Sequence, residues 1–257
     1  MILFVFEGAE REPKIFKSLE RLFFGKGERI VCSFGNNIYE VYRQLKELGG
    51  DGDIVSILRE NNAQFPLGVK SSDFSEIYLF FDYDFQNTNL TLAEMNGRLQ
   101  EMLEMFDDET DNGKLYVSYP MVESLCYTKE LPDDHFVEYA ISRRDCMERS
   151  FKDLAREFSH YGSLDFIELP DSGHHQPGKK DIARVRQNWI WLVQQHASKA
   201  NFMCAGVLRM PVDKEVVSQS RIFAAQLVKY LEDGGRIAIL NGFPLFLFEY
   251  FKISFWH

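Results

Sequence analysis

The chain opens on an apolar run, Ile2-Leu3-Phe4-Val5-Phe6, that stops at Glu7-Gly8. A short unbroken run of this kind suits a strand buried on both faces of a parallel sheet. Beyond residue 12 the period changes. Ile15, Phe16, Leu19, Leu22 and Phe23 recur at helical spacing, and Pro13 stands in the first turn, where a missing N–H costs nothing. The same reading predicts a strand over 29–34, helices over 37–48 and 53–61, a strand over 76–82, a helix over 90–106 and a strand over 114–120. Alternation of strand and helix implies βαβ units, hence an α/β fold whose parallel sheet of about four strands is flanked by helices.

Past Pro120 the pattern turns mainly helical. Residues 137–162, 181–202, 218–234 and 243–252 each carry a helical pattern, and the segment 169–181, rich in Gly, Pro and His, is the clearest break. The expected organisation is a domain over 1–130 with a mainly helical domain over 131–257 packed on it. The closing apolar stretch is interrupted by Glu249 and Lys252 and is too short to span a bilayer. A buried helix or a partner interface is the expected role, not a membrane contact.

Composition sharpens this only in part. The 257 residues suit one large domain or two modest ones, and 45% hydrophobic with 14% aromatic residues, 23 of them Phe, mark a globular chain. Cys32, Cys126, Cys146 and Cys204 are scattered without CxxC spacing, which argues against zinc and a disulfide framework and for a reducing compartment. The first apolar run lacks a basic leader and meets an acid at once, unlike a signal peptide. A cytoplasmic protein without membrane contact is expected. A net charge of −10 is unlike a passive DNA binder with a broad basic face. It leaves metal-dependent nucleic-acid chemistry open, because a carboxylate cluster adds negative charge that a bound cation offsets locally.

Candidate chemistry lies at the strand ends. Ligands bind outside the carboxyl ends of parallel strands, where Glu7 follows the first strand and Asp82 and Asp84 the third. Two residues apart in extended chain, the aspartates would share a face. If the strands are neighbours, the three carboxylates converge as hard oxygen ligands for Mg²⁺ or Mn²⁺. Each acid alone is ordinarily a solvated turn residue; the combination is more specific. Gly8 would allow close approach of backbone or ligand.

"FVFEG" followed by "LFFDYD" resembles the Toprim fold of topoisomerases, primases and OLD-type nucleases, with a Glu-Gly after the first strand and a DxD after the third. "EGAEREPKIF" is similar to the RloB-like branch of phage-defence nucleases, placing Glu12, Pro13 and Phe16 at its motif positions. "YPMVESL" supplies Pro120 and Glu123, but Tyr119 stands where that branch has Asn, and the branch's following His is missing. The resemblance covers residues 1 to about 130. It implies metal-dependent phosphodiester cleavage of DNA or RNA, tRNA included, in anti-phage defence. Glu7, Asp82 and Asp84 would ligate Mg²⁺ or Mn²⁺, Glu7 would contribute to proton transfer, and Glu12 and Glu123 would serve a second metal or orient water. A partner ATPase or regulatory protein and homo-oligomeric assembly are further implications.

Bland roles compete with several of these. An acid at Glu12, beside Pro13, is favoured by the helix dipole without any catalytic task, and Glu123 has the same alternative. His174, His175, Lys179, Lys180, Arg184 and Arg186 could form a phosphate-binding patch or merely a solvated loop and helix face. "SRRD" at 142–145 is a smaller basic candidate. Two other functions remain in view. "DYDFQNT" loosely suits a haloacid-dehalogenase phosphatase, though that fold carries its acids after the first strand. A non-catalytic Toprim-like module would bind nucleic acid or a partner.

Overall fold

Strand β1 (Ile2–Phe6) is buried at every position and takes parallel partners on both edges. Ile2 pairs with Ile30 of β2 (Ile30–Ser33) and with Glu76 of β3 (Glu76–Asp82), and Phe6 pairs with Phe80. With β4 (Asp107–Asp108) and β5 (Gly113–Ser118) the sheet order is β2-β1-β3-β5-β4, and β4 runs antiparallel to β5. The computed structural model describes residues 1–257 except 26–27, 51, 171–177, 233–234 and 257. They gather into two compact units, Met1–Phe81 with Leu90–Tyr116, and Asp82–Asn89 with Val117–His257.

In the first unit each parallel pairing needs a crossover, and helices supply it. Helix α1 (Glu12–Phe23) joins β1 to β2, α2 (Ile38–Glu47) and α3 (Ile54–Asn61) lead to β3, and α4 (Leu92–Met105) follows β3. Local signals start them. Asn37 accepts the Glu40 N–H at 2.9 Å, Asp53 accepts that of Val55 at 3.0 Å, and Thr91 and Glu94 form a reciprocal capping box. Alternate positions of β1 and β3 face one way and build an aromatic layer. Phe4 and Phe16 lie 4.5 Å apart between ring centroids, Phe6 and Phe80 5.0 Å, and Phe80 and Tyr116 5.7 Å. Full burial of one such ring contributes on the order of 2–3 kcal/mol. An exposed pair such as Arg43–Glu40 is screened by solvent and adds little, so the aromatic layer outweighs the surface ion pairs in this unit.

In the second unit α7 (Lys179–Ala205) carries two fully buried ionisable groups, His196 and Lys199. The Lys199 amine donates to the carbonyls of Phe136 (3.0 Å) and Tyr139 and lies over the Phe136 ring. The His196 Nδ1 accepts the Asn241 N–H at 3.1 Å, which leaves the ring proton on Nε2, an atom with no hydrogen-bond partner. Asn241 caps α9 (Gly242–Tyr250), accepting the Phe243 N–H, and its amide donates to Val122 O and Ser124 Oγ. Residues Gly242–Phe248 are all buried, as expected for the apolar end of the chain. No helix among the described residues is long and apolar enough to cross a membrane.

The segment 137–162 does not form the expected single helix. It breaks into a 3₁₀ turn (Phe136–Glu138), β6 (Ala140–Ser142), α5 (Arg143–Glu148) and α6 (Phe151–Phe158). Ser142 and Ser150 each accept the N–H of an Asp three residues on, so two fresh helix starts interrupt the run. β6 pairs antiparallel with β7 (Arg236–Ala238). The pattern over 218–234 yields α8 (Gln219–Gln226) and a π-helical turn (Leu227–Leu231).

Burial, with the neighbouring Lys199 adding to it, holds the His196 imidazole well below its ordinary value. The unfolded chain takes up this proton near pH ~6.5 and the folded chain does not. The contribution is therefore complete above that pH and is lost as pH falls below it. Denaturant unfolding followed between pH 7.5 and 5 should show stability falling with acid, and His196→Gln should flatten that slope.

Candidate functional site

Glu7 is the first residue past β1, and its backbone is held from both sides. The Phe6 carbonyl accepts the Asn36 backbone N–H at 3.1 Å and the Asn36 side-chain amide at 2.9 Å. The Gly8 carbonyl accepts the Gly35 N–H at 3.3 Å. Asn36 is itself buried and bonded to Ser33 and Asn62, so the turn after β2 fixes the end of β1. Sequence reasoning passed over Asn36. Its only signal is the "GNN" turn, which reads as an ordinary loop.

The close approach that Gly8 allows is made by the chain itself. Glu12, 7% exposed at the start of α1, turns its carboxylate back so that Oε1 accepts the Gly8 N–H at 3.1 Å. A Cβ at position 8 would stand 2.1 Å from both carboxylate oxygens. Glycine and glutamate in "EGAERE" therefore explain one another, and this Glu12 carboxylate is engaged in closing the turn after Glu7.

Asp82 is the last residue of β3 and is half-buried. The expected continuation of the strand fails at Asp84, whose φ is +54°. That left-handed conformation, which Asp tolerates better than most residues, breaks the two-residue alternation, so Asp82 and Asp84 do not share a face by strand geometry. The turn is tied to its surroundings. The Tyr83 N–H donates to Ser118 O (3.1 Å), the Asp84 N–H to Pro120 O (3.0 Å) and the Asn87 N–H to Asp84 O (2.8 Å). The side chains of Asn87 and Gln86 bond the Asp84 carboxylate, but burial outweighs them and raises its proton affinity. The Arg143 guanidinium donates to Asn87 O at 2.6 Å, which places a cation of the "SRRD" segment beside this turn.

Glu123 lies in a 3₁₀ turn (Val122–Cys126) that follows the Pro120 anchor of Asp84 and is buried at every position. Glu123 is 9% exposed, and its Oε2 has no hydrogen-bond partner. Burying a carboxylate oxygen unpaired is costly, so a cation or a water at this atom would relieve a real penalty. The carboxylates of Glu7, Asp82, Asp84 and Glu123 each offer the hard oxygen that Mg²⁺ or Mn²⁺ takes. Among the described residues, no three His, Cys, Asp or Glu side chains form a group that could hold a metal ion by themselves.

His174 and His175 lie outside the described residues. Lys179 and Lys180 are exposed in the first turn of α7, Arg184 stands 4.0 Å from Asp181, and the Arg186 guanidinium lies over the Phe255 ring. No family model, curated protein or solved structure matches the chain.

The Gly8–Glu12 pairing is directly checkable. Gly8→Ala should lower unfolding free energy by about 1–3 kcal/mol, the usual cost of displacing a hydrogen-bonded charged group. In a Glu12→Ala background the same substitution should cost less than about 0.5 kcal/mol, because distant or removed partners no longer couple. Chemical denaturation of the four proteins closes the cycle.

Proposed function

We propose that the chain is a Toprim-like phosphodiester hydrolase that requires Mg²⁺ or Mn²⁺ and cuts DNA or RNA, tRNA included, as an anti-phage defence effector in the cytoplasm. One observation carries the reading: β1 and β3 are neighbouring parallel strands, the Glu-Gly directly follows β1, and the DxD begins on the last residue of β3. Ligand chemistry in open α/β sheets concentrates there. The resemblance at "FVFEG", "LFFDYD" and "EGAEREPKIF" supplies the reaction class, and the defence role rests on that resemblance alone.

In this reading Glu7, Asp82 and Asp84 are the cation ligands. When bound, the cation lowers the pKa of a water and neutralises charge on the phosphate oxygens. The rest is done by the chain. Asn36 and Glu12 hold the backbone on either side of Glu7, and the Gln86 and Asn87 amides orient the Asp84 carboxylate. Glu7 accepts a proton from the attacking water, and Glu123 orients that water or serves a second cation. Lys179, Lys180 and Arg184 are the candidate phosphate contacts in this reading, with the "SRRD" segment a smaller one. Without metal, the carboxylates would repel a polyanion, so the same ion serves binding and chemistry. A partner ATPase or regulatory protein, and self-assembly, belong to the same proposal.

Incubation with labelled tRNA, single-stranded DNA and duplex DNA in Mg²⁺ or Mn²⁺ tests it. Cutting should appear with metal, vanish with EDTA, and fall by more than about 100-fold in Asp82→Ala, beyond the 10–100-fold typical of outer-shell substitutions. Calorimetry on the same preparations separates the alternatives. Nucleic-acid binding without metal uptake or cutting would replace the hydrolase with a Toprim-like binding module.

A further inference from the structure

Two strands end the five-stranded sheet, and they end it differently. β4 is two residues long, and both of them, Asp107 and Asp108, are exposed acids. A short charged edge of this kind repels a further strand. β2 has no such protection: Ile30-Val31-Cys32-Ser33 carries neither charge nor proline. Ile30, Val31 and Cys32 are half-buried, where the neighbouring β1 is buried throughout. The register identifies the main-chain groups left over. Ile2 pairs with Ile30, and its N–H donates to Arg29 O at 3.0 Å. In a parallel ladder alternate residues of a strand bond the same neighbour, so Arg29, Val31 and Ser33 turn their groups toward β1. The N–H and C=O of Ile30 and Cys32 point away from it, and among the described residues none of these four groups has a hydrogen-bond partner.

We propose that β2 is a self-pairing edge, at which two copies of the chain join their β2 strands antiparallel about a two-fold axis through Val31. In that register Ile30 of each copy faces Cys32 of the other, and every outward donor meets an outward acceptor in four main-chain hydrogen bonds. The complementarity is electrostatic at its shortest range, N–H against C=O, and the strand supplies its own complement. Charge permits the pairing although each chain carries −10. No acid lies within β2, and Arg29 comes opposite the neutral Ser33 of the other copy. An edge of four residues covers far less than the roughly 1,200–2,000 Å² of a standard stable interface, so the dimer is weak and concentration-dependent. This names a surface for the self-assembly in the proposed function, yet it rests on the sheet alone and not on hydrolysis.

Sedimentation of the full chain over a range of concentrations should show a reversible monomer–dimer equilibrium. Ile30→Pro removes one outward N–H per copy at the first residue of an edge strand, where proline is tolerated. It should weaken the dimer about 10-fold or more with circular dichroism unchanged. Cross-linking tests the register independently, and decides alone if Ile30→Pro does not fold. Residue 31 meets its counterpart at about 4.5 Å between Cα atoms, within reach of a disulfide. Val31→Cys in a Cys32→Ser background should therefore form a covalent dimer on mild oxidation. Arg29→Cys in the same background stands roughly 13 Å from its counterpart, four residues along the strand, and should not. A wild-type chain that stays monomeric, or a Val31→Cys chain that does not cross-link, overturns the pairing and leaves the edge to an extended segment of another protein. A dimer that a folded Ile30→Pro leaves intact, or that both cysteines cross-link equally, overturns it too. Cutting assayed on the same samples keeps the proposals apart. A monomer that cuts nucleic acid overturns only the pairing, and a dimer paired through β2 that cuts none overturns only the hydrolase.

Discussion

The parallel pairing of β1 with both β2 and β3 is the constraint from which the first unit follows. A strand bonded on both edges and buried on both faces can tolerate no polar side chain along its length, and Ile2–Phe6 has none. Parallel neighbours also force every connection to return across the sheet, which is why helices follow β1, β2 and β3 in turn. The same geometry brings the carboxyl ends of β1 and β3 to one edge of the sheet, and Glu7 and Asp82 stand there. Chemistry at that edge needs little further design beyond holding the backbone still. The paired bonds from Asn36 to the Phe6 carbonyl do so from the side of β2.

Much of this was legible in the sequence because the physics is local. β3 occupies the residues its pattern predicts, and α1, α2, α3 and α4 begin and end within about two residues of their apolar periods, the usual uncertainty of helix ends. Where reading by period failed, a competing short-range bond was the reason. Apolar spacing over 137–162 suits a helix, yet Ser142 and Ser150 restart the chain twice and the stretch around Ile141 finds a strand partner in β7. Two-residue spacing places the aspartates on one strand face only while φ stays negative; at Asp84 it does not. Asn36, Gln86 and Asn87 carry no recognisable motif, since an amide's value lies in which neighbour it reaches.

The second unit depends on a different economy of interactions. Its long helix α7 buries a histidine and a lysine that are matched with main-chain groups, not with carboxylates. Asn241, Ser124 and Gln226 do likewise, each tying a loop or strand end to another segment through its amide or hydroxyl. Such contacts cost desolvation and recover it only when every segment is in place. They favour one arrangement of the described turns over its neighbours more than they add net stability. Apolar packing in α9 and around Trp189, whose indole N–H meets Ile167 O, supplies the driving force.

The mutual dependence of Gly8 and Glu12 also imposes an order on how this loop can drift. A side chain at position 8 must enter space already filled by a carboxylate, whereas shortening residue 12 first leaves that space open. Descent through the second route passes no crowded intermediate; descent through the first does. Lineages that retain the glutamate should therefore keep the glycine, while lineages that lose the glutamate are free to lose the glycine afterwards. The loop behaves as a one-way latch on its own sequence.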